Sequence, residues 1–351
     1  MLRKYPCKLL YVLLLSGILL SACGNKDDTV DKKSDGDKKL SGNNSDLLVK
    51  DDKGARVKLV LKPKKGDVFK YKMNAKTTSK EKSPLTEDKE ITSIQDINYF
   101  YSEEVNDISS AGIITYKIKF DSINIVSTIA SADSSVKMFY NSNIKDSVWS
   151  KPDFIQYNAI MGEEFYGRVS PQGEISEIYG LEKVYDNMYK ALGGDTLTSD
   201  QKESLKASFG NDAIKAVIQQ QFQMFPEKEV YKDSTWTRSY ETQILIFPVK
   251  NILNYKLKDI KEENDQINLT IDADLAVDFM EKEVKDKKMT YKVEDSKTGG
   301  KGVITYSLSK GCVINKETST AIDMNMKISA GPQSIKTMQN VATELKVNLI
   351  Q

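Results

Sequence analysis

The chain has 351 residues, 51 basic and 50 acidic side chains, and no histidine. So even a balance creates no long-range field of either sign, which leaves nucleic-acid or polyanion binding without an electrostatic basis. Lack of histidine excludes Ser-His-Asp and Cys-His catalysis and histidine-ligated metals, and three cysteines, two of them within the first 23 residues, build no thiolate cluster.

The amino end opens on Arg3, Lys4 and Lys8, followed by the uncharged run Leu9 to Leu20 and then Ser21-Ala22-Cys23-Gly24. A permanent spanning helix needs about 20 apolar residues, and this run is shorter. A cationic start, an apolar stretch and small residues in that order predict a secretory signal over residues 1–22. The stretch Leu20-Ser21-Ala22-Cys23 resembles the bacterial lipobox. That resemblance implies cleavage before Cys23, acylation of its thiol with palmitate-type chains, and a lipid-anchored envelope protein, with the outer membrane as the expected location. Each buried methylene contributes ~0.8 kcal/mol, so two or more acyl chains hold stably without a spanning helix. Lys26-Asp27-Asp28 resembles a surface-export tag of Bacteroidetes-type lipoproteins, and which face of the membrane the body occupies stays open. Residues 23–54 are rich in Asp and Lys and nearly free of aromatics, the composition of a lipidated cysteine followed by a disordered tether.

From residue 55 the pattern changes to period-two alternation. Ile114, Tyr116, Ile118 and Phe120 share one face, and Thr115, Lys117 and Lys119 the other. Ile267, Leu269 and Ile271, then Ile322, Met324, Met326 and Ile328, then Leu345, Val347 and Leu349 repeat the pattern. One apolar and one polar face per strand predicts antiparallel sheet wetted on one side, in a first half over 55–180 and a second over 226–351.

Between them, residues 181–225 read as helical. Leu181, Val184, Tyr185, Met188 and Leu192 follow helical spacing up to Gly193-Gly194. Thr198 and Gln201 have the spacing of a capping box, and Asp212 is a candidate cap for a further helix carrying Ile214, Val217, Ile218, Phe222 and Phe225. Such a stripe more often packs a core than lines a groove. The fold expected is a β-rich α+β body, with an antiparallel, curved, half-barrel-like sheet and a central helical segment.

The stretch Leu59-Val60-Leu61-Lys62-Pro63, continued by Lys65-Gly66-Asp67-Val68-Phe69-Lys70-Tyr71, resembles the opening of an uncharacterised lipoprotein family of Bacteroidetes. Phe225-Pro226, with Tyr231-Lys232-Asp233-Ser234-Thr235-Trp236, resembles that family's second landmark, where glycine usually stands in place of Lys232. The resemblance covers roughly residues 56–350 and supplies no catalytic residues. Lys65 to Phe69 also echoes Lys232 to Trp236, and Phe165 to Ile175 echoes Ile304 to Val313. Duplication explains this, and so does the common physics of hairpins. The glycine-turned hairpins further resemble lipoprotein carriers whose half-barrel shelters acyl chains against helices.

Several residues are candidates for chemistry. Asp272, Asp274, Asp278, Glu281 and Glu283 have the charge for calcium but more often make a solvated face. Cys312 reads as a small buried hydrophobe, Ser79-Lys80 as a chance dyad, and Trp149 and Trp236 as core anchors or sugar-stacking platforms. No catalytic set, metal site or cofactor is expected. Three functions remain open: a non-enzymatic envelope lipoprotein binding a lipid-like ligand on a concave sheet face, a structural subunit docking an envelope protein, and a carboxylate-dependent hydrolase.

Overall fold

Side chains alternate across a strand, so an alternating sequence has one face to bury and needs a partner layer to bury it against. The computed structural model describes residues 48–52, 54–145, 151–208, 210–222, 225–264, 266–286 and 289–351. Leu20 to Cys23, Lys26 to Asp28 and Trp149 lie outside them. Residues 48–51, read above as the end of a tether, form β1 (Leu48–Asp51), which pairs with β2 (Gly54–Val57).

The first half is an antiparallel meander of β3 (Val68–Lys82), β4 (Ile91–Ile108) and β5 (Ile114–Ser131). Two strands share β5 at different points along it, β6 (Ser134–Asn141) and β7 (Glu164–Val169), and β8 (Ile175–Tyr179) adds to β7. A two-residue strand, β9 (Val230–Tyr231), joins β2 in the small sheet. The second half runs through β10 (Thr235–Ile244), β11 (Phe247–Glu263), β12 (Gln266–Phe279), β14 (Met289–Ser307), β15 (Cys312–Ala330) and β16 (Gln333–Leu349), with β13 (Glu283–Asp286) on the flank of β14. Because β16 pairs with β3, both halves make one sheet, ordered β10-β11-β12-β14-β15-β16-β3-β4-β5-β7-β8. It is antiparallel, as the alternation predicted, and curved and open at both ends.

The two halves repeat one pattern in detail. Gly66 and Asp233 both have positive φ, 88° and 68°. Each donates its N–H to the next strand, Gly66 to Val105 O (2.9 Å) and Asp233 to Leu257 O (2.7 Å). Aspartate tolerates the left-handed region better than most residues, so it can replace glycine there. Register shifts then fall at Val105/Asp107 and Leu257/Asp259, and again at Arg168/Val169 and Thr305/Tyr306. Strands β3, β4, β5, β7 and β8 thus correspond to β10, β11, β12, β14 and β15. The shared bulges increase local twist and bend the sheet.

Among the described residues there are four short α-helices, and the first and last of them pack over the inner face of the sheet. α1 (Ile155–Ile160) sits within the expected first β half and at six residues is too short to show a period. α2 (Glu182–Leu192) ends at Gly193. α3 (Ser199–Ser208) opens with the Thr198–Gln201 box, in which each residue's side chain accepts from the other's N–H, at 2.9 and 3.3 Å. α4 (Asn211–Gln219) has Gly210 at its cap, so Asp212 lies inside the helix and does not start it. The apolar stripe expected to stay helical to Phe225 leaves the helix at Gln219. Phe222 and Phe225 continue in non-helical backbone because tertiary partners take them, Tyr116 at 5.4 Å and Tyr306 at 4.8 Å between ring centres.

Candidate functional site: a cavity beneath the helices

Register stacks the inward side chains in rows across the strands. The row nearest the core reads Ile271, Ile304, Lys316, Val347, Met73 and Tyr99. Two residues further along each strand it reads Ala273, Gly302, Thr318, Leu345, Ala75 and Ile97. The next reads Leu275, Gly300, Thr320, Thr343, Thr77 and Gln95. Side-chain volume therefore falls just where the sheet leaves the main core. The glycines are required by the packing. A Cβ at Gly302 would meet Thr318 Cγ2 at 2.5 Å, and one at Gly300 would meet Thr320 Cγ2 at 2.6 Å and Ser319 O at 2.8 Å.

Over these small side chains the helices leave a space unfilled. Tyr157 and Ile160 from α1 and Ile214 and Val217 from α4 roof a cavity of about 110 Å³ that is partly open to solvent. Its walls come from strands far apart in the sheet, Ile244 on β10 and Ile123 on β5, because the sheet curves around it. It separates the main core from a smaller cluster around Phe247, Val249, Met324 and Met326. A second chamber of about 70 Å³ shares Gln220, Leu275 and Thr320 with the first. Asn251 lines the larger cavity at 1% exposure, opposite Tyr240 in the β10–β11 register.

Two charged side chains are buried in the sheet, Glu103 in the main body and Lys316 on the wall of the smaller chamber. Gln219, Gln220 and Gln221 end α4 and pin it to three parts of the sheet. Gln219 bonds Gly173 O and Ile175 N, both at 2.9 Å, on the β7–β8 hairpin. Gln220 O accepts from Lys316 Nζ at 2.7 Å. Gln221 accepts from the Tyr101 hydroxyl and donates to Glu103 Oε2 at 2.7 Å. Burial pushes the Glu103 carboxyl up to about 8 and, with opposite consequence, brings the Lys316 ammonium down to about 8. The other oxygen of Glu103 has no partner.

Neither charge was singled out from sequence, though each carried a signal. Glu103 is in phase with Tyr99, Tyr101 and Val105, and Lys316 with Ile322, Met324 and Met326, so each is a charge on an apolar face.

The residues that were singled out lie elsewhere. Ser79 and Lys80 point to opposite faces of β3, Ser79 buried and Lys80 paired with Glu90 at 3.2 Å, so they make no dyad. Asp272 pairs with Lys258 at 3.2 Å, and Asp274 and Asp278 share its outer face. Among the described residues no three acidic or cysteine side chains converge as a metal site. Cys312 is buried, with its thiol pushed up to about 11 by desolvation. Trp236 stacks on Tyr255 at 5.3 Å.

Fold and cavity together define an open, curved antiparallel sheet wrapped around short helices that leave an apolar interior space. The chain belongs to a family of unknown function (DUF6263), whose profile matches residues 111–313. No curated protein sequence matches it. Among solved structures it is similar to one titled for lipid–protein interactions in lipovitellin, at 10% identity and a TM-score of 0.40 over 83% of this chain. The chain spans about a quarter of lipovitellin's length, 25%. It is also similar to OccK7 (OpdD) and OpdQ of Pseudomonas aeruginosa, each at 7% identity and a TM-score of 0.20, covering 82% and 81% of this chain and 100% of each of those.

Proposed function

We propose that this protein is a non-enzymatic, lipid-anchored envelope protein that holds an apolar ligand between its curved sheet and α1 and α4. The observation that carries the reading is the cavity itself. A sheet whose inner face is simply core would fill these rows with large side chains, and here Ala75, Ala273 and Gly302 in one row and Gly300 in the next keep them open. The walls are apolar with a few convergent polar groups, the usual composition of a small-molecule site. Room for roughly ten water-sized groups suits one alkyl chain. Acylation of Cys23, supported by the lipobox-like Leu20-Ser21-Ala22, would hold the body at the outer membrane.

Titration of the full mature chain with the neutral fluorescent probe N-phenyl-1-naphthylamine tests the cavity. The expected result is saturable one-site binding, weakened about ten-fold or more by Ala75→Leu, which fills the space. Absence of saturable binding refutes the reading. For the anchor, Cys23→Ser should move the protein from the membrane to the soluble fraction and remove its lipid mass. Equal distribution of variant and parent refutes that part.

A further inference from the structure

The strongest unexplained feature of the molecule is the ammonium of Lys316. It is 8% exposed and sits between Ile304 and Val347 in an otherwise apolar row. An ammonium has three donors. Its one hydrogen bond is to Gln220 O at 2.7 Å, and among the described residues no carboxylate lies within ion-pair distance of it. Burying an unpaired charge is costly, and a neutral donor would satisfy the same helix-end carbonyl without that cost.

The internal repeat shows that the fold does not need the charge. Lys316 opposite Ile304 corresponds in register to Ile178 opposite Gly167, and Ile178 is a buried apolar residue. Something other than sheet packing accounts for a lysine there. Its position suggests what. Lys316 walls the smaller chamber, whose other walls include Tyr240 and Phe222 and, at its rim, Asp274 and Lys301 of the outer face, and that chamber adjoins the apolar cavity through Gln220.

We infer that the ligand is a single-chain amphiphile with an anionic head, its alkyl chain in the larger cavity and its head at Lys316. This rests on the cavity reading above. An anion there supplies the missing counter-charge and takes up the free N–H donors of the ammonium. The sizes agree: the smaller chamber, about 70 Å³, has room for a carboxylate or phosphate, and the larger, about 110 Å³, for a chain. Near neutral pH the ammonium is still mostly charged despite its burial.

The test is displacement of N-phenyl-1-naphthylamine from the full mature chain at pH 7 by dodecanoate, dodecyl phosphate and dodecanol. Wild type should bind one or both anions about ten-fold or more tighter than the alcohol, and the tighter anion identifies the head. Lys316→Ile, the residue the other repeat uses, and Lys316→Gln, which keeps a donor for Gln220 O, should bind acid and alcohol alike while retaining the probe. Equal binding of anions and alcohol by wild type, with the probe bound, overturns the head assignment and leaves the cavity reading standing. Retained anion preference in both variants also overturns it. If probe, anions and alcohol all fail to bind, both readings fall.

Discussion

Stability against pH should pass through a minimum near pH 8, because two buried charges titrate there in opposite senses. Glu103 carries its proton in the folded state up to about pH 8 and, unfolded, only to about 4.5. Between those values the folded chain binds the extra proton, so stability falls as pH rises. Each pH unit is worth about 1.4 kcal/mol, giving at most about 5 kcal/mol across the window. Lys316 loses its proton near pH 8 when folded and near 10.5 when unfolded. Above 8 the unfolded chain binds the extra proton, and stability rises again, by at most about 3 kcal/mol. Cys312, pushed up to about 11, opposes that recovery from its ordinary value of 9. The basic limb is therefore read as the difference between wild type and Lys316→Ile. Urea denaturation at half-unit steps from pH 5 to 9.5 measures both limbs. Glu103→Gln keeps an acceptor for Gln221 and should flatten the acidic limb, matching wild type near pH 5 and exceeding it by several kcal/mol near pH 8. A wild-type profile with the same slope as Glu103→Gln refutes the reasoning.

Other perturbations read other links. Gly302→Ala places a methyl against Thr318, and overpacking of that kind should lower stability by about 1–3 kcal/mol in urea denaturation. Thr198→Ala removes one half of the capping box and should cost about 1 kcal/mol, seen as faster amide exchange in α3. Gln221→Leu strips partners from the Tyr101 hydroxyl and Glu103 together, and a loss of about 2 kcal/mol or more in thermal or urea unfolding is expected. In the same variant the acidic limb should run on to higher pH at the same slope, because the hydrogen bond that favours ionised Glu103 is gone.

Much of this architecture was legible in the residues, and the failures have identifiable causes. Alternation such as Ile114, Tyr116, Ile118 and Phe120 reports one dry face, and the sheet followed. The echo of Lys65 to Phe69 in Lys232 to Trp236 was ambiguous in sequence, since any hairpin lead-in looks alike. It became a repeat once the same N–H bonds and the same bulges appeared in both. Helix α1 escaped notice because six residues hold fewer than two turns, and Phe222 and Phe225 kept a helical spacing while leaving the helix for aromatic partners. Acidic clusters such as Asp272, Asp274 and Asp278 attracted attention by composition and proved to be an outer face. Glu103 and Lys316, each a single charge on the apolar face of its strand, were the informative residues.

The sequence by itself determined that strands dominate, which of their faces is dry, that histidine chemistry is absent and where helices can start. These are local properties of spacing and composition. Tertiary structure alone decided that β16 closes onto β3, that the sheet curls, and that Ala75, Ala273 and Gly302 fall in one row with Gly300 in the next. Those residues are up to 227 positions apart in a chain of 351, between Ala75 and Gly302. A cavity is a shortage of volume in a row assembled by register, and no single segment contains that row.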